Sequence, residues 1–89
     1  MTDIALKLKE IISENGDIDI SEVIEDAHII TDMGVDSLDF LDIAYEVSSE
    51  LGVTIPLDDW MDEAAEGNLE PNYFVFKHLA DYISANQPG

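Results

Sequence analysis

The apolar positions of this chain fall into three stretches of helical spacing and one shorter run, separated by polar or extended segments. In the first stretch Ile4, Leu8, Ile11 and Ile12 make one face, with Lys7, Lys9, Glu10 and Glu14 mostly off it. This predicts a helix over residues 2–14, capped by Thr2 or Asp3 and stopped at Asn15-Gly16. In the second, Phe40, Ile43, Ala44, Val47 and Leu51 form a core-facing stripe that Leu38, Leu41 and Tyr45 widen. Asp39, Asp42, Glu46 and Glu50 make an acidic stripe on the opposite side, at spacings of three and four. That helix is predicted from Ser37 to about Leu51, with Gly52 closing it. Val53-Thr54-Ile55-Pro56 is extended, because proline disfavours helix in the residue before it. A shorter third helix starts at Leu57-Asp58-Asp59-Trp60-Met61, reaches about Ala65 and stops at Gly67-Asn68. Pro71 suits the first turn of a last helix, from which Tyr73, Phe74, Phe76, Leu79, Ala80 and Ile83 pack inward.

Residues 17–36 form a long connection between the first and second helices. Ile18 and Ile20 alternate with acids, Ser21-Glu22-Val23-Ile24 suits a short helical turn, and Ile29 and Ile30 are expected as buried anchors. A loop of this length in so short a chain is unusual and often functional. Asp17, Asp19 and Ser21 have the spacing of a calcium loop, but the sixth position is Glu22 rather than glycine and no glutamate ends the run, so an EF-hand is rejected. The expected fold is all-α: a four-helix bundle of three longer helices and a shorter third, with a long loop between helices 1 and 2. One domain is expected over residues 1–89, with a tail fraying from about residue 86.

Composition narrows the function. The chain has 46% hydrophobic residues, enough for a folded core, and no apolar run near the roughly 18 residues that span a membrane. With no cysteine and no leader-like N-terminus, a cytoplasmic location is expected, without disulfides or thiolate metal sites. Against 21 acidic residues stand 3 lysines, a formal net charge of −18. Nucleic acid and anionic membrane surfaces repel such a chain, and its partners are expected to carry basic patches. His28 and His78 lack the third ligand and spacing of a catalytic metal site, and no G-x-S-x-G elbow surrounds any serine. No catalytic or metal-binding residue is therefore assigned.

The chemistry concentrates at Asp32-Met33-Gly34-Val35-Asp36-Ser37-Leu38. Gly34 lets the chain turn sharply, Asp36 is placed to cap the second helix, and Asp39 favours the same helix end. A serine hydroxyl then sits at the positive end of a helix dipole, where a phosphate bonded to it is welcome. Gly34-Val35-Asp36-Ser37-Leu38 resembles the D-S-L attachment motif of acyl carrier proteins, in which the serine bears a 4′-phosphopantetheine arm donated by coenzyme A. The resemblance implies an acyl-carrier-like bundle that is not an enzyme, with Ser37 as attachment residue. It also implies a monomer whose partners are a phosphopantetheinyl transferase, ketosynthases and other fatty-acid synthesis enzymes, and acyltransferases of lipid synthesis. Asp36, Asp39 and Asp42 match positions that such partners recognise; Leu38, Tyr45 and Glu46 are added as candidates. Ser48 and Ser49 depart from the family, where many relatives carry glutamates, which argues against tight binding to general fatty-acid enzymes.

The run D-S-L-D-F-L-D-I from Asp36, the Ile55-Pro56-Leu57 step with Trp60, and Y-F-V-F-K-H-L from Tyr73 are similar to specialised carriers that deliver very-long-chain hydroxyacyl groups to lipid A. The segment between Pro56 and the last helix is about ten residues longer than in housekeeping carriers. An acyl chain is expected between the helices, in a cavity lined by Phe40, Ile43, Val47, Ile55, Trp60, Met61 and Phe76. The competing functions are a general fatty-acid or polyketide carrier and a non-carrier acidic interaction module.

Overall fold

The computed structural model describes residues 3–88. It is all-α, with α1 (Ile4–Gly16), α2 (Ser37–Leu51), a shorter α3 (Leu57–Ala65) and α4 (Phe76–Ala85). The long loop between α1 and α2 contains one 3-10 turn, Ile20–Glu22. Among the described residues no helix is long and apolar enough to cross a membrane.

Of the two caps expected for the first helix, Thr2 lies outside the described residues and Asp3 does the work. Its carboxylate accepts the Leu6 N–H at 3.1 Å. Leu8, Ile11 and Ile12 are buried along the inner face, and α1 packs chiefly against α2. The helix ends one residue beyond the expected stop. Asp17, not Gly16, takes the left-handed conformation, with φ 53°, and its N–H donates to the Ser13 carbonyl. Gly16 stays helical, and its missing side chain leaves room for Val35: a methyl group there would lie 2.9 Å from Val35 Cγ2. Asp17 takes the turn instead, as one of the few side chains that tolerate left-handed backbone.

The loop is held by its own polar groups and by the chain before α4. Asp19 accepts the Ser21 N–H at 3.0 Å, and that bond, with a second from the Ser21 hydroxyl, holds its carboxyl below the usual range. Ile29 is fully buried, whereas Ile30 is only partly so. The Ile29 N–H donates to the Phe74 carbonyl at 2.8 Å, and His28 and Val75 form an isolated antiparallel bridge.

This pairing moves the start of the last helix. Pro71 is not in its first turn; α4 begins at Phe76, and Tyr73 and Phe74 precede it. Asn72 turns the chain, its Oδ1 accepting the Phe74 N–H at 3.0 Å, and Val75 is extended. No side chain caps α4. Its first N–H groups would be orphaned, but those of Phe76 and Lys77 donate to the loop carbonyls of Ala27 and Glu25, at 3.1 and 2.9 Å. The loop thus caps the helix.

Boundaries of α2 and α3 follow the sequence pattern. Gly52 ends α2 in the left-handed conformation, with φ 71°. Its Cβ position is 3.0 Å from Pro88 Cγ, so Pro88 lies against the end of α2. Trp60 of α3 is buried in an aromatic cluster, stacked on Tyr73 at 4.6 Å and edge-on to Tyr82 at 5.0 Å. Phe74 meets Phe40 edge-on at 5.2 Å and extends the cluster to α2. No polar or charged side chain is buried among the described residues, so apolar contact alone fills the core while the charges stay in water.

Candidate functional site

The turn into α2 is built by alternation. Met33 and Val35 are buried, and Gly34, Asp36, Ser37 and Leu38 are exposed. Two inward anchors thus fix a segment whose outer residues face solvent. Val35 is further tied by its N–H to the Ile29 carbonyl at 3.2 Å. Gly34 has φ 73°, and a Cβ there would meet nothing, so its backbone angle and not its size demands glycine.

Asp36 Oδ1 accepts the Leu38 N–H at 3.0 Å, and its carbonyl accepts the Phe40 N–H at 2.9 Å. Phe40 is buried, which locks this first turn onto the core. Ser37 Oγ lies 3.5 Å from Asp36 Oδ1, the outer limit of a hydrogen bond, and that oxygen is already engaged by the backbone. The hydroxyl is therefore exposed, weakly partnered and held at the positive end of a fifteen-residue helix. A phosphate ester fits there: the space is open, and the dipole offsets part of the repulsion from Asp36.

The acidic stripe divides into two halves. Glu50 pairs with Lys7 at 3.3 Å, a contact that raises the Lys7 pKa, and Glu46 accepts from Asn15 Nδ2 at 3.1 Å. Both tie α2 to α1. Asp39 and Asp42, nearer Ser37, have no such partner among the described residues. The other two lysines are also occupied internally, Lys9 over the Phe76 ring and Lys77 on Asp26 at 3.0 Å. The face around Ser37 is left negative.

Leu38, Leu41 and Tyr45 do not widen the core-facing arc. They are 72%, 53% and 78% exposed and make an outward apolar stripe beside the acids. Next to it runs an open groove of about 250 Å³, lined by Leu41, Ala44, Tyr45, Ile55 and Leu57 among others. The residues expected to line an acyl cavity are placed differently from one another. Phe40, Ile43, Val47, Trp60 and Phe76 are packed in the core, and Met61 is exposed on the outer face of α3. Ile55 belongs to both the core and the groove, and so marks where the two meet. His28, which no catalytic or metal role claimed, is structural: its ring Nδ1 accepts the N–H groups of Ile30 and Thr31.

Residues 6–64 match the sequence profile described as a phosphopantetheine attachment site. The chain is 40% identical to the acyl carrier protein AcpXL of Mesorhizobium japonicum, over 89% of this chain and 86% of that protein. It is 42% identical to AcpXL of Rhizobium etli, over 86% and 85%. It is 47% identical to an acyl carrier protein of Thermotoga maritima, but over only 55% of this chain and 60% of the other. The profile spans the turn and helix that present Ser37, the relatives extend the likeness across most of the chain, and the protein belongs to the acyl carrier protein family.

Proposed function

We propose that Ser37 bears the 4′-phosphopantetheine arm and that the chain is a specialised carrier of long-chain hydroxyacyl groups for lipid A or a related lipid. The observation that carries the attachment site is the exposed Ser37 hydroxyl at the first position of α2, its Asp36 neighbour already spent on the Leu38 N–H. The Ser37 oxygen attacks the β-phosphorus of coenzyme A and forms a phosphodiester. Adenosine 3′,5′-bisphosphate leaves, and the serine proton passes to a base of the transferase. The attached arm supplies a thiol that holds acyl groups as thioesters, chemistry that this cysteine-free chain lacks.

Recognition by the phosphopantetheinyl transferase, ketosynthases and lipid acyltransferases falls to Asp36, Asp39 and Asp42, with Leu38 and Tyr45 as apolar contacts. These groups are exposed or half-exposed and lie on or just before the first half of α2, which Ser37 begins. Glu46 contributes less, because Asn15 already holds it. Opposite charge on the partner mainly speeds encounter. An acyl chain enters beside Ile55, where the groove meets the core. Phe40, Ile43, Val47, Trp60 and Phe76 must shift to admit it, and Met61 meets only a chain that runs along the surface.

The long-chain specialisation is supported by the extent of likeness to the AcpXL proteins, against about half the chain for the Thermotoga carrier. To test it, the holo-protein is charged with a very-long-chain hydroxyacyl group and presented to a lipid A acyltransferase; in parallel, a short acyl form is presented to a general ketosynthase. Transfer to lipid with poor elongation is expected. Ready elongation without transfer assigns the chain to general fatty-acid or polyketide synthesis.

A further inference from the structure

His28 is the hub of the loop that leads to Ser37. Its backbone N–H donates to Asp32 Oδ2 at 2.8 Å, and its carbonyl accepts the N–H groups of Asp32 and Met33 at 2.9 and 3.1 Å. Its ring Nδ1 accepts the N–H groups of Ile30 and Thr31 at 3.2 and 3.1 Å. The ring stacks on Phe74, centroids 5.8 Å apart, and Phe74 packs on Phe40 in the first turn of α2. A ring nitrogen accepts hydrogen bonds only when it carries no proton, so this arrangement requires the neutral tautomer with hydrogen on Nε2.

These bonds close the turn over residues 28–33. The next tie, from the Val35 N–H to the Ile29 carbonyl, seats the exposed segment Asp36-Ser37-Leu38. The geometry points to His28 as a positioning residue for the modification of Ser37: neutral Nδ1 holds the turn that presents the serine, and protonation releases it. This rests on the assignment of Ser37 as the attachment residue. An imidazolium has N–H at both nitrogens and accepts from neither Ile30 nor Thr31, leaving two backbone donors to find water.

The loop that carries the ring holds Asp17, Asp19, Glu22, Glu25, Asp26, Asp32 and Asp36; the elements packed on it add Glu70, Tyr73, Lys77 and His78 around Phe74 and the start of α4, and Asp39 in the first turn of α2. Asp26 and Lys77 are paired with each other. Asp32 already accepts the His28 backbone N–H, and a carboxylate cannot replace the ring acceptor for Ile30 and Thr31. The turn is therefore ordered where the ring is neutral and loosens as acid protonates it.

Two experiments test this. The first follows transferase kinetics on the apo-protein for wild type, His28→Phe and His28→Asn. Phenylalanine keeps a ring on Phe74 without an acceptor; asparagine supplies Oδ1 to a following N–H, as Asn72 does in this chain. If only about a tenth of His28→Phe molecules hold the competent turn, KM rises about tenfold with kcat nearly unchanged. His28→Asn recovers most of that loss. Equal KM for His28→Phe and wild type overturns the proposal, as does failure of His28→Asn to recover. The second measurement needs no variant: nitrogen NMR of the His28 ring in wild type, with amide exchange at Ile30 and Thr31. An unprotonated Nδ1 at neutral pH is expected, with exchange at those two amides accelerating in acid relative to Leu38. Hydrogen on Nδ1 overturns the proposal even if every variant misfolds. Should wild type itself accept no phosphopantetheine, the assignment of Ser37 fails while the ring measurement still decides the turn.

Discussion

Replacing Gly16 with alanine should destabilise this protein, although the same change favours most helices. In a helix alanine is better than glycine by about 0.5–1 kcal/mol. Here the new methyl would stand 2.9 Å from Val35 Cγ2, well inside the roughly 3.5–4.0 Å of an ordinary carbon contact. Val35 has little room to yield. It is 1% exposed, its branched side chain is stiff at χ1, and its N–H is bonded to the Ile29 carbonyl. Overpacking of this kind costs about 1–3 kcal/mol, so a net loss of about 1 kcal/mol is expected. In a Val35→Ala background the offending methyl is gone, and Gly16→Ala should stabilise by about 0.5–1 kcal/mol. The coupling between the two sites is then about 2 kcal/mol, well above the few tenths found for independent sites. Urea unfolding of the four proteins, followed by far-UV circular dichroism and by Trp60 fluorescence, gives each midpoint and slope. A Gly16→Ala single variant as stable as wild type would refute the reasoning. So would an equal effect in both backgrounds. Because Val35 anchors the turn before Ser37, the clash should also slow modification of the serine.

Three further outcomes follow from the same contacts. Asp36→Ala should cost about 1 kcal/mol in urea unfolding through loss of the α2 cap, whereas Asp36→Asn keeps the cap and should cost only a few tenths; equal losses would show that charge, not capping, is the stabilising feature. Trp60→Ala empties the centre of the aromatic cluster and should cost about 3–5 kcal/mol, read as a large fall in melting temperature; an unchanged melting temperature would mean that the cluster is not what holds α3 to α4. With a net charge of −18, the melting temperature should rise as ionic strength goes from about 0.01 to about 0.15 M, where screening shortens from about 30 to about 8 Å; a flat series would contradict self-repulsion as a cost to the fold.

The elements that could be read from the sequence are those fixed by local chemistry. The span of α2 is given by Asp36 before it, Gly52 after it and the spacing of its buried stripe, and all three hold. The span of α3 likewise follows from Pro56, Leu57 and Trp60. What escaped depended on contacts far along the chain. Pro71 looked like a helix start because nothing local shows that residues 74–77 bond to residues 25–29, which forces Val75 to stay extended and delays α4 to Phe76. Gly16 looked like a stop because its real use, room for Val35, lies nineteen residues away. At the candidate site the exposed serine, its cap and the turn before it were legible. Leu38 and Tyr45 read both as core and as partner contacts and Leu41 as core only, since an apolar residue beside a core stripe reads the same whether it packs inward or faces out; all three face out. Between Pro56 and Phe76, Tyr73 and Phe74 pack against Trp60 and Phe40, and Tyr82 of α4 meets Trp60 and Tyr73, joining α3 to α2 and α4.

The central claim is that Ser37 carries the arm, and intact mass tests it most directly. Wild type and Ser37→Ala are each incubated with coenzyme A and a broad-specificity phosphopantetheinyl transferase, and circular dichroism verifies that both are folded. One added phosphopantetheine on wild type and none on Ser37→Ala is the predicted result. Addition to both proteins would place the arm on another residue. No addition to folded wild type, with a second transferase also failing, would contradict the account of Ser37.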